Sequence, residues 1–311
     1  MKLFYLFSFF IIIIFIYPTT TQFPLKINKA GKRFCKFPKA NGVITTNKTL
    51  MINNHTDFGM KRIFFNGAKN TCSPKMPPMW EHAIIIQDGG SVSNVILGIS
   101  PEGTSADIYC WGSCTLTNVY FEKVCWRGAT FAQGPNFKKG DKTQFTYTVN
   151  GGGALDGFQK IFLQGGQGKT IINNFCSVNN DIGIVSCGNC INQYHREITI
   201  QNSKFMGPTL TIAVLTFLFL NGRIYTCVER SITYVEIQVY GDNNSSSKIK
   251  FACSEYMGQS VQNPWANSYK LGQAGGKSCS YAANAVKLHL KQNSDFFLIS
   301  INNSVFSKIL Y

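Results

Sequence analysis

Residues 91–98 (SVSNVILG) and 115–121 (TLTNVYF) alternate apolar with small or polar side chains, and each carries an asparagine at the same place: Asn94 and Asn118, 24 positions apart. That spacing constrains the fold more than any other feature of the chain. A strand-length unit this short has an apolar face that it cannot bury alone, so it is stable only when stacked on copies of itself. Further units follow at residues 145–150, 170–175 and 198–205, with a weaker one at 235–240. Alternation sends one set of side chains inward and the other outward. The expected architecture is all-β, a right-handed parallel β-helix, with Asn94, Asn118 and Asn173 stacked and hydrogen-bonded at equivalent corners. A two-sheet sandwich also uses short strands, but it does not call for an asparagine corner at a fixed repeat.

The chain begins like an export leader. Lys2 supplies a positive start, residues 3–17 a continuous apolar run, and Pro18-Thr19-Thr20-Thr21 a small-residue exit. So short a run, followed at once by polar chain, reads as cleaved rather than membrane-spanning. Residues 1–21 are expected to leave, and residues 22–311 to form one secreted domain with no membrane attachment. All 11 cysteines follow the leader, where an oxidising compartment makes them disulfide candidates, and the odd count leaves at least one unpaired. Sequons at Asn47, Asn54, Asn243, Asn244 and Asn302 are compatible with that route. The formal net charge of +15 favours a polyanionic partner. With export expected and no dense Lys/Arg tract, an extracellular acidic polymer is favoured over nucleic acid.

Gly151-Gly152-Gly153-Ala154, Lys160, Ser186-Cys187-Gly188-Asn189-Cys190, Gln193-Tyr194 and Arg196 form a recognisable set. They resemble the GGGA…DDK and SCGNC..QYKR segments of the pectate lyases of polysaccharide lyase family three, over roughly residues 83–281. The resemblance implies a secreted, monomeric enzyme that cleaves polygalacturonate or pectin of plant cell walls by β-elimination with Ca2+. That chemistry needs the substrate carboxylate neutralised, a base for the C5 proton, and positive groups for the developing charge. Calcium suits the first task because it shares flexible oxygen ligands between protein and substrate. By the same resemblance Asp107 and Glu102 are the candidate metal ligands, with Asp156 and Asp88 as further acids. Lys160, Arg127 and Arg196 are the candidate catalytic groups, Lys160 and Arg196 also binding substrate.

Several positions depart from the family pattern. Trp126 and Arg127 stand where an acidic pair is expected, Phe158-Gln159 precede the lysine in place of two aspartates, and residues 182–185 lack the usual basic groups. Arg127 is a candidate to replace the lost cation by pairing directly with a substrate carboxylate. The second reading is a pectin-binding homologue that does not cut, and a third is a gene model whose insertions disturb folding. Cys187-Gly188-Asn189-Cys190 reads as structural disulfide chemistry, since no strand-to-helix turn suited to a redox pair follows. Residues 137–144 read as a surface loop. The apolar stretch within residues 209–230 is an extra buried rung, a helix on the solenoid, or translated intronic sequence, the last being favoured because its removal leaves ten cysteines.

Overall fold

Parallel strands stack into three faces in the computed structural model, which describes residues 28–66, 82–99, 106–138, 140–188, 190, 192–220, 223–224, 230–240, 249–258, 267–273, 275–276 and 278–289. The first face contains Leu50–Ile52, Ile84–Gln87, Ala106–Trp111, Arg127–Ala132, Lys160–Gln164, Ile182–Ser186, Thr209–Leu220 and Ile249–Gly258, each parallel to the next. The second runs through His55–Phe65, Gly90–Leu97, Cys114–Phe121, Phe145–Asn150, Gly168–Asn173, Arg196–Gln201 and Arg230–Val235. The third, made of Gly153–Leu155, Cys176–Val178, Lys204–Met206, Ile237–Tyr240 and Val286–His289, branches from the end of Cys114–Phe121. This is a parallel β-helix, as the repeat predicts, and not a sandwich.

In-register stacking builds the core. Ile84, Ile108, Ala129, Phe162, Ile184, Ala213 and Cys253 follow one another as strand partners along the first face, all buried. Val92, Leu116, Val149, Ile172, Ile200 and Tyr234 do the same along the second. Each large side chain buried this way stabilises the fold by roughly 1.5–3 kcal/mol. Between the columns Phe131 stacks on Phe162 and on Tyr147, with centroids 5.6 and 5.2 Å apart.

The corner between the second and third faces explains the asparagines. Asn94, Asn118, Asn174 and Asn202 adopt left-handed backbone at φ 52°, 53°, 55° and 50°, a region asparagine tolerates better than most residues. Asn118 Nδ2 donates to Asn94 Oδ1 at 3.1 Å, and Asn94 Nδ2 donates to Asp57 Oδ2 at 3.0 Å. Gly151 occupies the next corner at φ 69°, where an added Cβ would lie 2.7 Å from Asn118 Oδ1. The ladder therefore breaks for one rung. It resumes with Asn202 Nδ2 donating to Asn173 Oδ1 at 3.0 Å. The expected placement is corrected by one residue: Asn173 ends its strand, and Asn174 makes the corner.

Thr209–Leu220 is a rung of the first face. Thr211 pairs with Ile182 and Phe251, Ala213 with Ile184 and Cys253, and residues 211–215 are buried. Of the three readings, the extra buried rung is the one whose geometry is seen here, since these side chains continue the inward column. Cys227 and the rest of residues 225–229 lie outside the described residues, as does the leader. Disulfides join Cys35 to Cys176, Cys110 to Cys114, Cys187 to Cys190 and Cys253 to Cys279, and Cys125 is disulfide-bonded as well. The Cys187–Cys190 pair is thus structural, as expected. The short helix Lys29–Phe34 packs on the third face, with Phe34 beside Leu155, Val178 and Met206.

Candidate active site

Arg127 and Lys160 open consecutive strands of the first face and are direct register partners. Neighbouring strands lie about 4.8 Å apart, so the rung spacing itself sets two cations side by side. Trp126 receives both: its ring centroid lies 4.0 Å from Arg127 Cζ and 4.7 Å from Lys160 Nζ. A partly desolvated cation over an indole face gains roughly 2 kcal/mol, which offsets some of their mutual repulsion. His82 and Tyr109 complete the surroundings, their rings 5.0 Å apart and both within reach of the Arg127 charge. Lys160 is half-buried, and its Nζ donates to Gln159 Oε1 at 2.9 Å.

Burial sets the protonation states. It pulls the Lys160 ammonium down to about 8, with Arg127 pushing the same way and Asp181 opposing. Burial likewise pulls Arg127 down to about 9, so the guanidinium stays charged at neutral pH. Burial first, then Arg127, pulls His82 down to about 4, which leaves the imidazole neutral. The cluster is then one fixed cation beside an amine that can change state near neutrality.

The polar atoms here lack partners. Both ring nitrogens of His82, Trp126 Nε1 and Arg127 Nε are buried without a hydrogen bond. Arg127 makes one bond from its guanidinium, Nη1 donating to Thr130 Oγ1 at a long 3.5 Å. No carboxylate among the described residues pairs with it. Each such orphan costs about 1–3 kcal/mol, and a catalytic role or a bound water or ion is among the reasons a fold tolerates one.

Among the described residues no calcium-type donor set is gathered at this cluster. Asp107 is buried, and burial raises its carboxyl well above the usual carboxylate range. Glu102 lies outside the described residues. Asp156 is engaged at a second left-handed corner, accepting from Asn28 Nδ2 at 2.9 Å and Asn179 Nδ2 at 2.7 Å. Asp88 Oδ1 accepts from the Ser113 amide at 2.7 Å and braces the Gly112 turn. Among the described residues no three His, Cys, Asp or Glu side chains converge on one point.

Arg196 is held by the main chain. It is fully buried, and its guanidinium donates to three main-chain carbonyls: Gly166 at 3.1 Å, Cys187 at 2.8 Å and Gly165 at 2.7 Å. It staples the glycine turn to the Cys187–Cys190 loop. Three participants escaped the sequence reading. His82 sits far from Arg127 in the chain and carries no motif, Asp181 follows a corner, and Trp126 registers there only as a lost acid. A groove of about 370 Å³ lined by Asn118, Tyr120, Gly152, Asn174, Lys204 and Gln238 lies at the asparagine corner, away from this cluster.

The chain is thus a parallel β-helix that carries a cationic, aromatic cluster on one sheet face. The pectate lyase family model matches residues 35–260, and the chain belongs to that family. Pectate lyase H of Emericella nidulans is 30% identical over 74% of this chain and 78% of its own length. Probable pectate lyase D of the same fungus is 33% identical over 57% of this chain, a match spanning 63% of that relative's own length. Among solved structures, the catalytic domain of pectate lyase PelI from Erwinia chrysanthemi superposes with TM-score 0.56 at 18% identity, covering 79% of this chain and 100% of that one. PelI has also been solved in complex with tetragalacturonic acid.

Proposed function

We propose that this chain is a pectate-lyase-type enzyme that cleaves (1→4)-α-D-galacturonan by β-elimination at the Arg127–Trp126–Lys160 cluster. Lys160, neutral in a fraction of molecules near pH 7, takes the C5 proton of one galacturonyl unit. Arg127 turns its unengaged N–H groups to the C6 carboxyl group of that unit and stabilises the negative charge that builds there. The C4–O4 bond breaks, the electron pair leaves with O4, a C4=C5 double bond forms, and the leaving oxygen takes a proton from solvent. No step runs through calcium, since no three acidic, histidine or cysteine side chains converge among the described residues.

The observation that carries this reading is the orphaned donors around Arg127, beside an amine whose proton is held loosely. Family membership and the tetragalacturonic acid bound to PelI support the substrate class. Secretion after loss of residues 1–21, a single domain over 22–311 and action as a monomer on wall polysaccharide complete the proposal. The disulfides are in keeping with export.

The test is the ultraviolet absorbance of the unsaturated product, followed on polygalacturonate and on half-esterified pectin with purified protein and with Lys160→Ala. Loss of at least about 100-fold in the variant, with retention on a pectin column unchanged, is expected. Equal rates in the two proteins would remove Lys160 from the mechanism. The second reading, binding without cleavage, is favoured by the missing acids and predicts column retention with no absorbance from either protein.

A further inference from the structure

Resting on that reading, we infer that the preferred substrate is methyl-esterified galacturonan, cleaved without calcium. Removing the C5 proton beside a carboxylate places a second negative charge on a group that already carries one. A divalent cation held by several acids answers that demand, but among the described residues no such set converges, and Trp126, Arg127 and Phe158 stand at or beside the cluster. Removing the same proton beside a methyl ester creates a single oxyanion on a carbonyl that was neutral to begin with. The ester supplies its own neutralisation, and one guanidinium is then the matching partner.

The cluster offers one guanidinium. Among the described residues the buried Nε of Arg127 has no partner and Nη1 only the long Thr130 bond, so no strong contact holds the guanidinium back from one carbonyl oxygen. The surroundings also suit an ester. Trp126 provides an apolar ring beside both cations. Phe158 is 60% exposed two positions before Lys160, and its amide is bonded at 3.0 Å to the carbonyl of Val124, two positions before Trp126. An exposed phenyl so placed gives a methyl group or a sugar face something to cover. Acids at these positions would bind metal and repel further carboxylates, whereas aromatic rings favour an uncharged acyl group.

The step balances as an ester elimination. The C5–H bond breaks and its proton moves to Lys160. The electron pair passes through the enolate, whose oxygen rests on Arg127, and forms C4=C5 as C4–O4 breaks. The methyl ester remains on the unsaturated product.

The experiment compares initial rates of the purified full-length protein on galacturonans of graded methyl esterification, each with calcium and with chelator. Expected is a rate at least about tenfold higher on highly esterified chains than on polygalacturonate, unchanged by chelation. Phe158→Asp, a substitution at an exposed site, is expected to lower the rate on esterified chains more than that on polygalacturonate. A rate that falls with esterification, or that needs calcium, overturns the inference while leaving elimination itself intact. Absence of unsaturated product from every substrate overturns the earlier reading, and this one with it.

Discussion

Two arginines lie buried in this β-helix in opposite states of satisfaction. Arg196 places its guanidinium on three carbonyls that join two loops, one bond from each of its nitrogens. Arg127 has a free Nε, one marginal bond and a second cation as its strand partner. The same side chain is a structural staple in one place and an unanswered charge in the other. Burial alone distinguishes neither, since both are largely hidden. The count of donors already engaged separates structure from chemistry.

The contrast is sharpest at Arg127 itself. Arg127→Ala is expected to lower elimination about 100- to 1,000-fold, the usual loss when a charge-stabilising donor is removed. Its stability should move by less than about 1 kcal/mol, because an unpaired buried charge disappears together with its packing. Rates paired with denaturant unfolding curves check both, and a large stability loss at normal rate per folded molecule would break the contrast. Arg196→Ala should behave inversely. It strands three carbonyls and is expected to cost about 3–5 kcal/mol in the same unfolding measurement. The activity of whatever remains folded should be unchanged.

A smaller effect concerns pH. Lys160 must be neutral to accept a proton and is pulled down to about 8, while Arg127 must stay charged and is pulled down to about 9, so the rate should rise roughly tenfold per pH unit below 8 and fall again above 9. A profile that falls as the pH rises toward 8 would mean Lys160 acts in its protonated form. The smallest effect belongs to the corner. Asn118→Ala removes one ladder bond and strains a left-handed residue, expected at about 1–2 kcal/mol by thermal unfolding with no change in rate.

The fold was legible because its determinants are local and repeated. The alternation of residues 91–98 and 115–121, and the asparagines within them, state the rung and its corner directly. Asn173 was misplaced by one position because either member of an Asn-Asn pair suits a corner, and only backbone φ distinguishes them. The 209–215 rung was obscured because its apolar run hides the period of two that marked other strands. The site was legible only in part. Lys160 and Arg127 were found through a family pattern, and the register makes them neighbours. What converges on them does not follow from spacing: His82 arrives from another turn, and Arg196 carries the same chemical promise but is consumed by carbonyls that no motif announces.

The disulfides divide the maturation of the chain into two time classes. Cys110–Cys114 and Cys187–Cys190 span 4 and 3 positions, so each can close as soon as its segment enters an oxidising compartment. Cys35 waits 141 positions for Cys176. During that interval four other thiols emerge, and any of them is a wrong partner for Cys35 unless the rungs have already stacked. The bond that fastens the Lys29–Phe34 helix is therefore a late seal that records whether the coil behind it was wound in order.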